Sequence, residues 1–171
     1  MNVVITGSTK GIGLALAQEF LRYGDQVVVS SRSPERVESA VQQLKGEFPE
    51  GKILGIPCDV SLNDDLEALA KFAQQQLGTV EIWINNAGST GDENKALVDS
   101  DPDALETVIR TNLLGSLLGC RAALADHPRR RTGSGPPRTR PLFRGSIPEI
   151  RREPRPAPDL EPTQRVHRSQ A

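Results

Sequence analysis

A strand runs straight into a glycine-rich turn and then a helix at the start of this chain. Val3-Val4-Ile5 reads as a short buried strand, and Thr6-Gly7-Ser8-Thr9-Lys10-Gly11-Ile12-Gly13 follows at once. An amphipathic helix then covers about residues 12–23. Few folds use that order. Glycine adopts turn geometries and allows close approaches that a Cβ forbids. The first N–H groups of a helix lack intrahelical acceptors. Together they form a cradle for a pyrophosphate. Gly7 lets the chain turn tightly, Gly11 and Gly13 let backbone and helix approach a dinucleotide, and Ser8, Thr9, Lys10 and Ile12 complete the turn. The spacing is Gly-x-x-x-Gly-x-Gly rather than the commoner Gly-x-Gly-x-x-Gly, and a purely structural turn also fits it.

Residues 1–125 repeat the strand–helix alternation. Residues 3–6, 27–31, 53–58 and 80–85 are short apolar runs, the pattern of parallel strands covered on both faces. Helical stripes lie between them: Ile12, Leu16 and Phe20; then Val37, Val41 and Leu44; then Leu62, Leu66, Leu69 and Phe72. Ser33-Pro34 is a helix opening, a hydroxyl cap followed by a first-turn proline. Asp101-Pro102 opens a fourth helix in the same way, with Leu105, Val108, Ile109 and Leu113 as its apolar face. Phe72 and Trp83 fall on apolar faces and are expected in the core. Four strand–helix units with right-handed crossovers predict an α/β fold: a Rossmann-type, doubly wound parallel sheet truncated to about four βα units.

The overall charge of −1 conceals a break near Asp126. Residues 1–125 hold ten Lys and Arg against seventeen Asp and Glu, a net of −7. Residues 126–171 hold eleven Arg, no Lys and five acids, a net of +6, together with nine of the thirteen prolines. Proline at that density opposes both helix and central strand. Too little apolar side chain remains to offset chain entropy, so a disordered tail is expected over 126–171. Its composition reads like a GC-rich gene translated out of frame or through a retained intron. The tail has Phe143 as its only aromatic and no Lys, which argues against a nucleic-acid partner. Cys58 and Cys120 have no metal-ligand spacing and are expected to be reduced and buried. No apolar run approaches the roughly 18 residues of a membrane span, and the chain opens on a strand without a leader pattern.

Three further motifs follow the glycine turn in order. Asp59-Val60 closes the third strand, where a carboxylate can accept from an adenine amino group. Asn85-Asn86-Ala87-Gly88 closes the fourth, at the carboxyl edge where open sheets bind ligands. Asn112 lies in the fourth helix, within Thr111-Asn112-Leu113-Leu114-Gly115. With the turn Thr6 to Gly13, these residues resemble the short-chain dehydrogenases/reductases over residues 1 to about 125. The resemblance implies a nicotinamide cofactor held by the turn, by Asp59 and Val60, and by Asn86, Ala87 and Gly88. It also implies hydride transfer to a small-molecule carbonyl substrate. Asn112 takes the place of the family's helical asparagine, which holds a water and a backbone kink in a proton relay.

The form of the cofactor follows from charge. An NAD-preferring site carries an acid at the end of the second strand. Here that position is Ser31, followed by Arg32, and Lys10 adds a second cation from the turn. Two cations and no acid suit a 2′-phosphate, so NADPH is expected.

A narrower resemblance rests on Ser-Ser-Arg-Ser-Pro-Glu-Arg-Val-Glu at 30–38 and Ile-Trp-Ile-Asn-Asn-Ala-Gly at 82–88. These look like the chlorophyll(ide) b reductases of plants and algae, which reduce a formyl group to hydroxymethyl. That resemblance implies chlorophyll(ide) b as substrate and a chloroplast location; without it, a cytoplasmic one. The wider family's proton donor is a Tyr four residues before a Lys, assisted by a Ser. No Tyr follows Tyr23 and no Lys follows Lys95. Ser134, Ser146 and Ser169 sit among prolines and arginines and do not match the serine role. The expectation is a truncated reductase without useful turnover. The competing expectation is a non-catalytic NADP(H)-binding fragment that joins a homo- or hetero-oligomer through the fourth helix, since the family dimerises there.

Overall fold

The computed structural model describes residues 1–91 and 95–125. The expectations for the tail, residues 126–171, and for the Asp92-Glu93 loop lie outside the described residues. Strands β1 (Asn2–Ile5), β2 (Gln26–Ser31), β3 (Ile53–Pro57) and β4 (Ile82–Ile84) form one sheet in the order β3-β2-β1-β4. All pairings are parallel, with Val4 opposite Val28 and Trp83. Helices α1 (Gly11–Arg22), α2 (Pro34–Glu47) and α3 (Asn63–Leu77) supply the crossovers. After β4 come α4 (Pro102–Ile109), a π-helical stretch Arg110–Leu114, and α5 (Gly115–Ala125). The truncated Rossmann-type half-sheet expected from the sequence is therefore present.

Alternation along the strands feeds two cores. Val3, Ile5, Val27 and Val29 face Ala17 and Leu21 of α1 and Leu44 of α2. Val4 and Val28 face Leu66, Leu69 and Ala73 of α3 and Ala122 of α5. All six of these valine and isoleucine side chains are fully buried, each worth about 1.5–3 kcal/mol of transfer free energy. Gly55 in β3 is a packing requirement. A Cβ there would stand 2.6 Å from Val37 Cγ1 and 2.7 Å from Val41 Cγ2, so only glycine lets α2 close on the sheet.

Two helix openings occur as the sequence predicts. Ser33 Oγ accepts from Arg36 N at 3.2 Å, and Asp101 Oδ1 accepts from Asp103 N at 2.9 Å. Several faces differ. In α1 the buried line is Gly13, Ala17 and Leu21, while Ile12 is 76% exposed and Leu16 and Phe20 are half-buried. At Gly13 there is no room for a side chain against Gly7, Ser8 and Asn86. In α3 the buried line is Leu66, Leu69, Ala70 and Ala73; Leu62 precedes the helix and is exposed, and Phe72 is half-buried, as is Trp83. The apolar face of α4 is not buried: Leu105, Ile109 and Leu113 are all exposed, and no residue of α4 is buried. Cys58 is buried as expected, but Cys120 is exposed on α5. Among the described residues no helix is long and apolar enough to cross a membrane.

Candidate functional site

The carboxyl ends of β1, β2, β3 and β4 share one edge, and the turn after β1 stands at its centre. Gly7 and Gly11 both have left-handed backbones, with φ of +63° and +56°. Their neighbourhoods differ. A Cβ on Gly7 would stand 2.6 Å from Ala87 Cα, whereas one on Gly11 would meet nothing within 4 Å. Gly7 is thus packed against the β4 loop and Gly11 borders open space. Gly13 is packed too: a Cβ there would collide with Asn86 Nδ2 and stand 2.6 Å from Gly7 O.

Asn86 holds the turn in shape. Its Nδ2 donates to Thr6 O at 2.9 Å and to Gly7 O at 3.0 Å. Thr6 Oγ1 accepts in return from Asn86 N and Ala87 N, both at 3.1 Å. Sequence reasoning placed Asn86 and Ala87 beside the cofactor; the structure also gives them a mechanical task, fastening the turn to β4. Ser8 is fully buried and ties the turn to β2, donating from Oγ to Ile5 O at 2.6 Å and accepting from Ser30 N at 3.0 Å. Ser8 faces the core, while half-buried Thr9 and exposed Lys10, Gly11 and Ile12 form the outer lip.

The helix behind that lip suits an anion. Lys10 precedes α1 in extended conformation and gives no side-chain cap, and the first turn carries no acid. The uncapped N–H groups and the positive end of the helix dipole are therefore available to phosphate. Lys10 and Arg32 are exposed, and neither pairs with a described carboxylate. Ser31 ends β2 and donates from Oγ to Ser33 O at 3.3 Å, so β2 ends on a hydroxyl rather than a carboxylate.

Asp59 and Val60 lie two and three residues beyond the end of β3, in the turn before α3, rather than in the strand itself. Asp59 Oδ1 accepts from Ser61 N at 2.9 Å and from Ser61 Oγ at 2.7 Å. Val60 is buried. Asn112 falls in the π-helical stretch, where helical winding widens, a feature often found at functional sites. Its side chain makes two hydrogen bonds with the Ser89 main chain, and its carbonyl accepts from Ser116 Oγ at 2.7 Å. Gly88 lies directly below, its Cβ position 3.5 Å from Asn112 Oδ1.

Sequence reasoning named Asn85 within a motif but gave it no role of its own. It accepts from Trp83 Nε1 at 2.9 Å and donates to Ser116 O and Cys120 Sγ, both at 3.3 Å. It couples β4 to α5, where Gly119 makes room for its carboxamide. No local pattern signals that role, because the α5 partners are more than thirty residues away.

A glycine turn fastened to the central strands, an uncapped helix start and a carboxyl-edge loop define a dinucleotide-binding α/β domain. Residues 1–134 match the short chain dehydrogenase family, and the chain belongs to it. It is 55% identical over 123 residues to chlorophyll(ide) b reductase NOL, chloroplastic, of Oryza sativa subsp. japonica, covering 72% of this chain and 36% of that protein. The Arabidopsis thaliana protein of the same name is 51% identical over 123 residues, covering 72% and 35%. A solved NADPH-bound short chain oxidoreductase from Pseudomonas aeruginosa PAO1, described as having an atypical catalytic center, superposes with a TM-score of 0.66 at 28% identity, over 72% of this chain and 48% of that one. The chain thus spans about a third of the length of these curated relatives.

Proposed function

We propose that residues 1–125 are the NADP(H)-binding Rossmann half-domain of a chloroplast chlorophyll(ide) b reductase. The observation that carries this reading is the 55% identity to the rice reductase over 123 residues. NADPH, when bound, supplies the hydride that reduces a formyl group. This chain's residues do the holding. The outer lip from Thr9 to Ile12 and the start of α1 take the pyrophosphate, Lys10 and Arg32 take the 2′-phosphate, and Asp59 and Val60 border the adenine. Asn86 keeps the turn in register.

The 171-residue chain does not carry a Tyr–Lys pair after Asn112, so this polypeptide alone reduces no carbonyl. A missing general acid costs about 10²–10⁴ in rate. Calorimetric titration of the wild type and Arg32→Asp with NADPH and NADH tests the cofactor half; an unchanged preference for NADPH in the variant overturns it. Incubation with NADPH and chlorophyllide b, followed by chromatography, tests the rest. No hydroxymethyl product is expected, and turnover comparable to an intact reductase overturns the inactive state.

The exposed leucine and isoleucine side chains Leu105, Ile109, Leu113 and Leu117 favour a second reading, an oligomer with itself or with an intact reductase through α4 and α5. An uncovered apolar face of this kind favours association. Light scattering of the purified chain, alone and mixed with an intact reductase, reads this directly; a monomer in both solutions overturns it.

A further inference from the structure

Asp65 lies in the first turn of α3, outside every role assigned above, yet its carboxylate reaches back across the preceding turn. Asp59 N donates to Asp65 Oδ2 at 2.8 Å. Leu62, the residue before α3, offers no side-chain cap, so Asp65 is the acceptor that organises this helix entry. Leu62 N donates to Asp59 O at 3.0 Å and closes the turn. Ser61 occupies Asp59 Oδ1 with two donors, which leaves Oδ2 without a protein donor among the described residues. Behind the turn, a Cβ on Gly115 would stand 2.8 Å from Val60 Cγ2 and 3.1 Å from Val60 O, so α5 presses on it from the core side. The turn is gripped at its amide, at one carboxylate oxygen and from behind.

We propose that Asp65 is a positioning residue for the adenine end of the nucleotide. By holding the Asp59 amide it fixes the turn that presents Asp59 Oδ2 to the adenine edge. The inference rests on the nucleotide-binding reading above. The buried Cys58 thiol beside both carboxylates stays protonated, so no third negative charge works against the arrangement.

The test is calorimetry on the full chain with NADPH, 2′,5′-ADP and inorganic pyrophosphate. Asp65→Ala is expected to bind NADPH and 2′,5′-ADP about tenfold more weakly, the loss typical of one charge-assisted hydrogen bond, with pyrophosphate affinity unchanged. Asp65→Asn keeps an oxygen acceptor and is expected to restore most of the loss. Wild-type affinity in Asp65→Ala, or an equal loss for all three ligands, overturns the positioning role alone. A wild-type chain that binds neither NADPH nor 2′,5′-ADP overturns the nucleotide-binding reading, and this inference with it. Should Asp65→Ala fail to fold, Ser61→Ala releases the same turn from its other side. It is expected to weaken 2′,5′-ADP but not pyrophosphate, and undiminished 2′,5′-ADP binding there overturns the proposal.

Discussion

Asn112 and Ser89 hold each other through two hydrogen bonds of equal length. Ser89 N donates to Asn112 Oδ1 and Asn112 Nδ2 donates to Ser89 O, both at 2.8 Å. One carboxamide thus substitutes for a strand neighbour, reading the donor and the acceptor of a single residue. It fastens the loop after Gly88 to the widened helical turn, and so couples the glycine-turn side of the site to the α4–α5 side.

Asn112→Ala removes both bonds. Because the pair is solvent-exposed, the cost in global stability is expected to be about 1 kcal/mol. The local effect is larger. The Ser89 amide, protected in the wild type, is expected to exchange with solvent much faster in the variant by hydrogen exchange. Unchanged protection of that amide would show that the loop holds itself.

Gly13 and Gly11 separate two kinds of glycine requirement. In Gly13→Ala the new Cβ meets Asn86 Nδ2 and two backbone atoms, Gly7 O at 2.6 Å and Ser8 Cα at 2.8 Å. Backbone cannot step aside cheaply, so a loss of about 1–3 kcal/mol in urea unfolding is expected. Gly11→Ala meets nothing within 4 Å and costs only the left-handed backbone strain, about 1–2 kcal/mol. The ligand readout separates them further: Gly11→Ala places a methyl in the open cradle and is expected to weaken pyrophosphate.

Ser30 Oγ is a buried hydroxyl without a hydrogen-bond partner, on a residue with no exposed surface. A buried polar group left unpaired costs free energy in the native state. Ser30→Ala is therefore expected to be neutral or stabilising by up to about 1 kcal/mol in urea titration. A loss of more than that would reveal an interaction of the hydroxyl that the fold depends on.

The two thiols are expected to behave differently. Cys120 is exposed and Cys58 buried, so a disulfide reagent reacts with one thiol in the native chain and with two after unfolding. Burial, aided by the carboxylates of Asp65 and Asp59, pushes the Cys58 thiol from its ordinary 9.0 up to about 12. The folded state thus holds this proton more tightly than the unfolded state. The Cys58 contribution is constant below pH 9 and is lost as pH rises from about 9 towards about 12. Cys58→Ala is expected to flatten that part of the stability curve; an identical alkaline slope in the variant contradicts this assignment.

The half-sheet was legible from short apolar runs and punctuation alone. Val3-Val4-Ile5 and Val27-Val28-Val29 are apolar at every position because both sheet faces are covered, and Ser33 and Asp101 cap their helices through atoms two or three residues away. The glycine turn was readable for the same reason: its glycines fall within eight residues, although Asn86 and Ser30 hold it from a distance. Which side of each helix is buried was not. α1 turns Gly13, Ala17 and Leu21 inward rather than Ile12, Leu16 and Phe20, and at Gly13 the backbone of Gly7 and Ser8 leaves no room for a Cβ. α4 leaves Leu105 and Ile109 in solvent although its periodicity is that of a buried helix.

Local order in the chain determined the elements, their sequence and the chemistry gathered at one edge, since propensity, capping and turn geometry act over a few residues. Only the tertiary structure decided that Asn86 is a fastener for the turn, that Asn112 grips Ser89 and that Asp65 grips Asp59. The Asn86 and Asn112 contacts join residues about 80 and 23 positions apart. The Asp65 contact spans six, but across a turn that Gly115 of α5 packs against at Val60. Such pairs exist only once the sheet and its crossovers have brought their backbones within hydrogen-bond reach.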